Sequence, residues 1–262
     1  MIGWDEFLYF AIPSMGLWLV AILLILLKKQ SRSFEFVAIA GIVVFFCYIL
    51  LYWIALDRPP MRTMGETRLW FAFFISTVGY ITYRLWRYSY IFAFYLAIAI
   101  VFTSINLFKP EIHSKALMPA LQSYWFVPHV TAYMLAYAML GAATIMGISM
   151  LIRKSSSDAL MLKSVDKLVF IGFGLLMLGM LMGAVWAKDA WGHYWSWDPK
   201  ETWAFITILA YLIYIHLRLQ HSHRDVSIWV LILAFVLLMI TWKGVNYLPS
   251  AKNSVHVYTQ SK

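Results

Sequence analysis

Residues 36–56 read FVAIAGIVVFFCYILLYWIAL, with no charged side chain between Phe36 and Leu56. Coiled as a helix, such a run is about 30 Å long, because each residue adds about 1.5 Å, and that matches the hydrocarbon core of a bilayer. Open strands are excluded there, since each unpaired backbone group in lipid costs several kcal/mol. The run is a membrane-spanning helix. Working outward from it, the same reading gives spans at Leu8–Leu27, Leu69–Leu85, Ser89–Leu107, His129–Ile152, Leu168–Trp186, Thr202–Leu217 and Ser227–Trp242. The third and eighth are short. The third needs its aromatic flanks, and the eighth can start as early as Asp225. The expected fold is an all-α integral membrane protein of about eight transmembrane helices.

Composition agrees. Of 262 residues, 63% are hydrophobic, 18% aromatic and 13% charged, and the mean hydropathy is +0.74. A soluble domain carries about 25% charged residues, so this chain has too much apolar surface for one water-soluble core. A disordered chain is excluded for the same reason. The net charge of +9 marks cytoplasmic loops rather than a nucleic-acid surface. Cys47 is the one cysteine; it has no internal disulfide partner, and we read it as a buried small hydrophobe. Met1–Glu6 lacks Lys and Arg, so the first apolar run is expected to remain as an anchor.

Basic residues set the orientation. Lys28, Lys29, Arg32, Arg84, Arg87, Arg153, Lys154, Lys163, Lys167, Arg218 and Arg224 share one side in four short loops, while the other ten are spread over about twice the loop length. This places both termini on the outer face, with the loops Phe108–Pro128 and Ala187–Glu201 and the tail from Lys243. No soluble domain fits in the loops, and no internal repeat is evident. The organisation expected is helices 1–4 in residues 1–107 and a functional region in 108–262.

One segment differs from the rest: Trp191-Gly192-His193-Tyr194-Trp195-Ser196-Trp197-Asp198-Pro199-Lys200-Glu201-Thr202-Trp203. With Trp186 it holds five of the chain's 13 Trp. An interfacial aromatic belt explains a single Trp near a helix end, but it requires neither Gly192 nor the Asp-Pro-Lys-Glu run. Asp198 has the character of an N-cap and Pro199 that of a first helical residue. The loop then forms a platform above the seventh helix. Flat aromatic faces suit a large planar apolar ligand, and Lys200 suits its acidic edge, with Asp198 or Glu201 orienting it. Haem meets that description, and its iron takes neutral imidazole ligands.

The run WGxYWxWDPKETWA from Trp191 to Ala204 resembles the CcsA (ResC) family of cytochrome c biogenesis, which shares a tryptophan-rich "WWD" haem domain. Pro128-His129-Val130 and Gly244-Val245-Asn246-Tyr247-Leu248 support the likeness, which spans roughly residues 120–258. The resemblance implies haem-binding positions at Trp191, Gly192, Tyr194, Trp195, Trp197, Asp198, Lys200, Glu201 and Trp203. It also implies two axial histidines flanking the loop, which here are His129 and His256. The tail Ser254-Val255-His256-Val257-Tyr258 keeps the family's His-x-Tyr but not the residues around it.

His216 lies about 22 Å down the seventh helix from Glu201, near the cytoplasmic leaflet. It matches a transmembrane histidine that the family pairs with one from a partner subunit; the plainer reading is an interfacial histidine beside Arg218. His193 and His113 are read as solvated polar residues, and His221 and His223 as part of a turn.

The resemblance further implies haem b as the substrate, a CcsB (ResB)-type membrane subunit, and an apocytochrome c bearing Cys-x-x-Cys-His. The expected activity is haem transport and presentation for thioether formation within a cytochrome c synthase complex, with no catalytic acid assigned. The membrane is bacterial cytoplasmic or thylakoid. Two alternatives stand beside this: a CcmC-type haem chaperone that forms no thioether, and a small-solute transporter or intramembrane hydrolase. The chain carries neither an HExxH pair nor a paired carboxylate within a span to favour the last.

Overall fold

The computed structural model describes residues 2–27, 33–110, 113, 123–153, 158–220 and 223–248. They form eight α-helices: α1 (Phe7–Leu26), α2 (Ser33–Leu56), α3 (Met64–Trp86), α4 (Ser89–Phe108), α5 (Phe126–Arg153), α6 (Asp158–Trp191), α7 (Pro199–Leu219) and α8 (Arg224–Trp242). A short 3-10 turn, Gly244–Tyr247, follows α8. No strand occurs among the described residues, and seven helices are long and apolar enough to cross a membrane. The protein is an all-α integral membrane protein.

The remaining helix, α3, carries Glu66, Arg68 and Arg84 within its 23 residues, and this charge is why its apolar run read as short. Most helices exceed their apolar runs because polar residues extend a helix past the lipid core. At α3, Thr63 and Glu66 form a capping box, so the helix starts five residues before Leu69. The largest correction concerns α6. Its 34 residues measure about 50 Å, and it continues through Ala187–Trp191, which the sequence reading had assigned to a loop. Likewise α5 begins at Phe126, one turn ahead of His129. Pro128 is tolerated because the first four N–H groups of a helix lack intrahelical acceptors anyway.

The chain divides into two compact units, Met1–Leu117 and Met118–Lys262. In the first, α1 packs on α2 and α4, and α3 on α2 and α4; in the second, α5 packs on α6 and α8, and α7 on α6 and α8. Each unit is thus a ring of four sequential helices. Short connections favour this arrangement, since they make consecutive helices antiparallel neighbours.

Within the first unit the Trp4 indole stacks on His113 at 3.7 Å and 4°. His113 Nε2 lies 2.8 Å from the Asn106 carbonyl, while the Asn106 amide donates to the Gly65 carbonyl. His113 is therefore a packing residue rather than the solvated side chain expected. Beside it Glu66, 1% exposed, pairs with Arg58 at 2.9 Å.

Each unit also holds an acidic side chain clasped by tyrosine and arginine. Glu35 accepts from the Tyr83 hydroxyl and lies 3.4 Å from Arg84 and 3.5 Å from Arg87. Asp166 accepts from the Tyr214 hydroxyl at 2.7 Å and from Arg218 through both carboxylate oxygens. Cys47 corrects a second expectation, because it is exposed on α2 along with Val43, Leu50 and Ile54. A helix facing lipid is apolar on its outward side too, so apolarity in the sequence does not imply burial within the protein.

Candidate functional site

The tryptophan-rich segment is a short loop, Gly192–Asp198, strung between two helix ends. Gly192 stops α6 with φ +86°, the left-handed conformation that glycine adopts without a Cβ clash. Its N–H donates to the Lys188 carbonyl. Lys188 Nζ in turn donates to the Gly192 carbonyl at 2.7 Å and lies over the Tyr194 ring at 5.7 Å.

At the other end Asp198 caps α7, with Pro199 in its first turn and Glu201 completing a capping box. One oxygen of Glu201 accepts from the Ser196 amide at 2.8 Å, the Ser196 hydroxyl at 3.3 Å and the Asp198 amide at 3.2 Å. The Thr202 hydroxyl donates to the Trp197 carbonyl. Asp198 is 9% exposed, so this carboxylate organises backbone rather than standing in solvent.

Trp197 is held at φ +58°, a conformation costing a non-glycine residue roughly 1–2 kcal/mol. Its ring meets Trp195 and Phe205 edge-on, yet 62% of the residue is exposed. A bulky side chain held in a disfavoured conformation and presented outward is the kind of strain that gathers at binding sites. Tyr194 is also exposed.

His129 stands in the first turns of α5. Its Nδ1 is 2.7 Å from the Gly179 carbonyl of α6. A carbonyl only accepts, so Nδ1 carries the proton, and in the neutral ring the acceptor lone pair belongs to Nε2. That is the tautomer that metal ligation through Nε2 requires. The ring stacks on Trp186 with centroids 5.7 Å apart and meets Tyr133 edge-on at 4.6 Å. Trp186 in turn contacts Phe126 and Trp191. A chain of aromatic contacts thus links His129 to Trp191, the last residue of α6 before the loop. Among the described residues, no cluster of three or more His, Cys, Asp or Glu is gathered as for a bare metal ion.

All but two of the expected positions thus fall into four groups. His129 and Trp191 meet through Trp186, and Trp195, Trp197, Asp198 and Glu201 are tied together by the loop. Gly192 and Tyr194 connect to α6 through Lys188. Lys200 and Trp203 lie half-buried in the first turn of α7, where Lys200 donates its amide to Asp198. His216 is apart from all of these, exposed near the other end of α7. His256 lies outside the described residues.

The sequence reading missed Lys188, Gly179 and Gly183 and treated Trp186 only as a neighbour of the loop. A signal for the glycines was present. Gly172, Leu176, Gly179 and Gly183 recur every four, three and four residues, the spacing of one helix face.

The chain matches the family described as cytochrome c assembly protein over residues 8–251. It is 31% identical to the cytochrome c biogenesis protein CcsA of Cuscuta exaltata, over 78% of this chain and 80% of that protein. It is 29% identical to the CcsA of Nymphaea alba over 83% of this chain and 85% of that one. With the CcsA of Mesostigma viride the identity is 36% over 56% of this chain. Both the tryptophan loop and His129 lie inside the matched region, and the chain belongs to the cytochrome c assembly protein family.

Proposed function

We propose that the chain carries haem b as its substrate and presents it for covalent attachment to an apocytochrome c. The observation that carries this reading is the His129 ring, whose Nδ1–H is committed to the Gly179 carbonyl and which sits against Trp186 under the tryptophan loop. A porphyrin fills the equatorial positions of its own iron, so the protein need supply only axial imidazoles. His129 offers one. His256, the other expected ligand, follows the 3-10 turn in the chain. The exposed faces of Trp197 and Tyr194 suit the macrocycle, and the positive charges of Lys188 and Lys200 suit its propionates.

The thioether step adds each client thiol across one vinyl group, the sulfur bonding one carbon and a proton the other, with no net oxidation. This chain's contribution is positioning: the aromatic loop fixes the plane and edge of the substrate while the imidazoles fix its depth. The basic residues at the opposite helix ends, Arg153, Lys163, Lys167, Arg218 and Arg224, support an outer-face location for this end of the second unit.

His216 supports a second, inner stage. It is a polar side chain on an otherwise apolar exposed face of α7, with Leu209, Leu212 and Ile213 also exposed. That placement suits pairing with a CcsB (ResB)-type membrane subunit rather than with this chain's own interior. Haem would pass from this stage to the outer one. Relatives bearing the name cytochrome c biogenesis protein favour this reading over solute transport.

The test is the absorption spectrum of the chain purified with its partner subunit. We expect low-spin bis-imidazole haem b. His129→Ala should turn it high-spin or empty the site, and added imidazole should partly restore it. A wild-type spectrum in His129→Ala refutes the assignment. Covalent holocytochrome made by the two subunits with apocytochrome alone separates synthase from chaperone.

A further inference from the structure

The α5–α6 seam explains how a histidine side chain with two rotatable bonds is held in one orientation. Three positions of α6 that face α5 are glycines. A Cβ on Gly172 would fall 2.9 Å from the Leu140 side chain, one on Gly179 2.8 Å from Tyr133, and one on Gly183 2.6 Å from His129 Cε1 and 2.7 Å from its Nδ1. The two helices run antiparallel, and their contact residues step in matching intervals. His129 and Tyr133 are one turn apart on α5, as Gly183 and Gly179 are on α6.

The His129 ring therefore lies directly on the backbone of α6, over the space where a side chain would be. Only at that depth does Nδ1 reach the Gly179 carbonyl at 2.7 Å. Trp186 then covers one face of the ring, and Tyr133, itself lodged on Gly179, meets it edge-on. By contrast, a Cβ on Gly174 would meet nothing within 4 Å.

We infer that Gly183 and Gly179 are positioning residues for iron ligation: by lacking side chains they seat His129 on α6 and fix its Nδ1–H tautomer, so that Nε2 is the nitrogen presented to haem. This rests on the reading of His129 as a ligand. The assignment concerns the seat, and it holds with or without haem bound. A donor bonded through Nδ1 to a carbonyl is also a more basic ligand, which lowers the reduction potential of the iron it binds.

Two measurements test it. The first needs no haem: solid-state NMR of [15N]histidine-labelled protein in lipid, with the His129 signals assigned by their loss in His129→Gln. The wild type should show one set of signals, Nδ1 protonated and Nε2 not. Gly183→Ala should lose that single state, giving mixed tautomers, whereas Gly174→Ala should keep it. An Nε2-protonated ring in the wild type overturns the proposal even if Gly183→Ala does not accumulate.

The second is the spectrum of the haem-loaded complex. Gly183→Ala should lose most of its low-spin fraction and regain it with added imidazole, with Gly179→Ala showing a smaller loss through Tyr133. If His129→Ala changes the spectrum and Gly183→Ala does not, the positioning role is overturned. If neither changes it, the ligand reading beneath the proposal has failed instead.

Discussion

Removing the Glu201 carboxylate should loosen the tryptophan loop by a calculable amount. One oxygen of Glu201 holds the Ser196 amide at 2.8 Å, the Ser196 hydroxyl at 3.3 Å and the Asp198 amide at 3.2 Å. Hydrogen bonds to an ionised acceptor contribute about 1.5–3 kcal/mol when desolvated. The Ser196 groups are exposed and can return to water, so their share is well below that range. An acidic residue in the first turn of a helix adds about 0.3–1 kcal/mol through the helix dipole. The total for Glu201→Ala is about 2 kcal/mol, which corresponds to about a 30-fold change in an opening equilibrium. Amide exchange followed by mass spectrometry on the loop peptide, in lipid nanodiscs, reads this directly. The loop amides should exchange about 30-fold faster in Glu201→Ala, but only a few-fold faster in Glu201→Gln, which keeps an acceptor oxygen. Exchange in Glu201→Ala within twofold of wild type would refute the idea that this carboxylate organises the loop.

The remaining outcomes separate platform, transfer and scaffold. Trp197→Gly relieves roughly 1–2 kcal/mol of left-handed strain but loses two edge-on ring contacts of about 0.5–1.5 kcal/mol each. The melting temperature should therefore hardly move while haem per protein falls; a parallel loss of both would make Trp197 a structural residue. His216→Ala should lower haem occupancy but leave the spectrum of the remaining haem unchanged, and unchanged haem content would mark it as an ordinary interfacial histidine. Glu66→Ala removes a nearly buried partner of Arg58 and the acceptor for the Arg62 and Thr63 amides. It should cost about 3 kcal/mol, read as a lower melting temperature in detergent; a shift under 2 °C would contradict the pairing.

Much of this protein is legible along the chain because lipid leaves the backbone few choices. Uncharged runs such as Phe36–Leu56 must be helical, and their number sets the bundle. The helix ends were harder to read. Hydropathy reports the depth of the lipid core, whereas α6 continues to Trp191 on helix-forming residues until Gly192 stops it. Asp198-Pro199-Lys200-Glu201 read correctly as a helix start because capping depends on neighbours in sequence. The same locality made the tryptophan loop recognisable.

What the sequence could not decide was which side of a helix faces protein. In a membrane both sides are apolar, so Cys47 read as buried and is exposed, while His113 read as solvated and is stacked on Trp4. Nor could it say which ring nitrogen of His129 carries the proton. That follows from a carbonyl 50 residues away, brought within reach because Gly183 leaves room for the ring. The sequence by itself determined the helices, the capped start of α7 and the loop, since each depends on near neighbours and on the lipid. The tertiary structure alone decided the orientation and tautomer of the histidine, because those depend on the close packing of one helix against another.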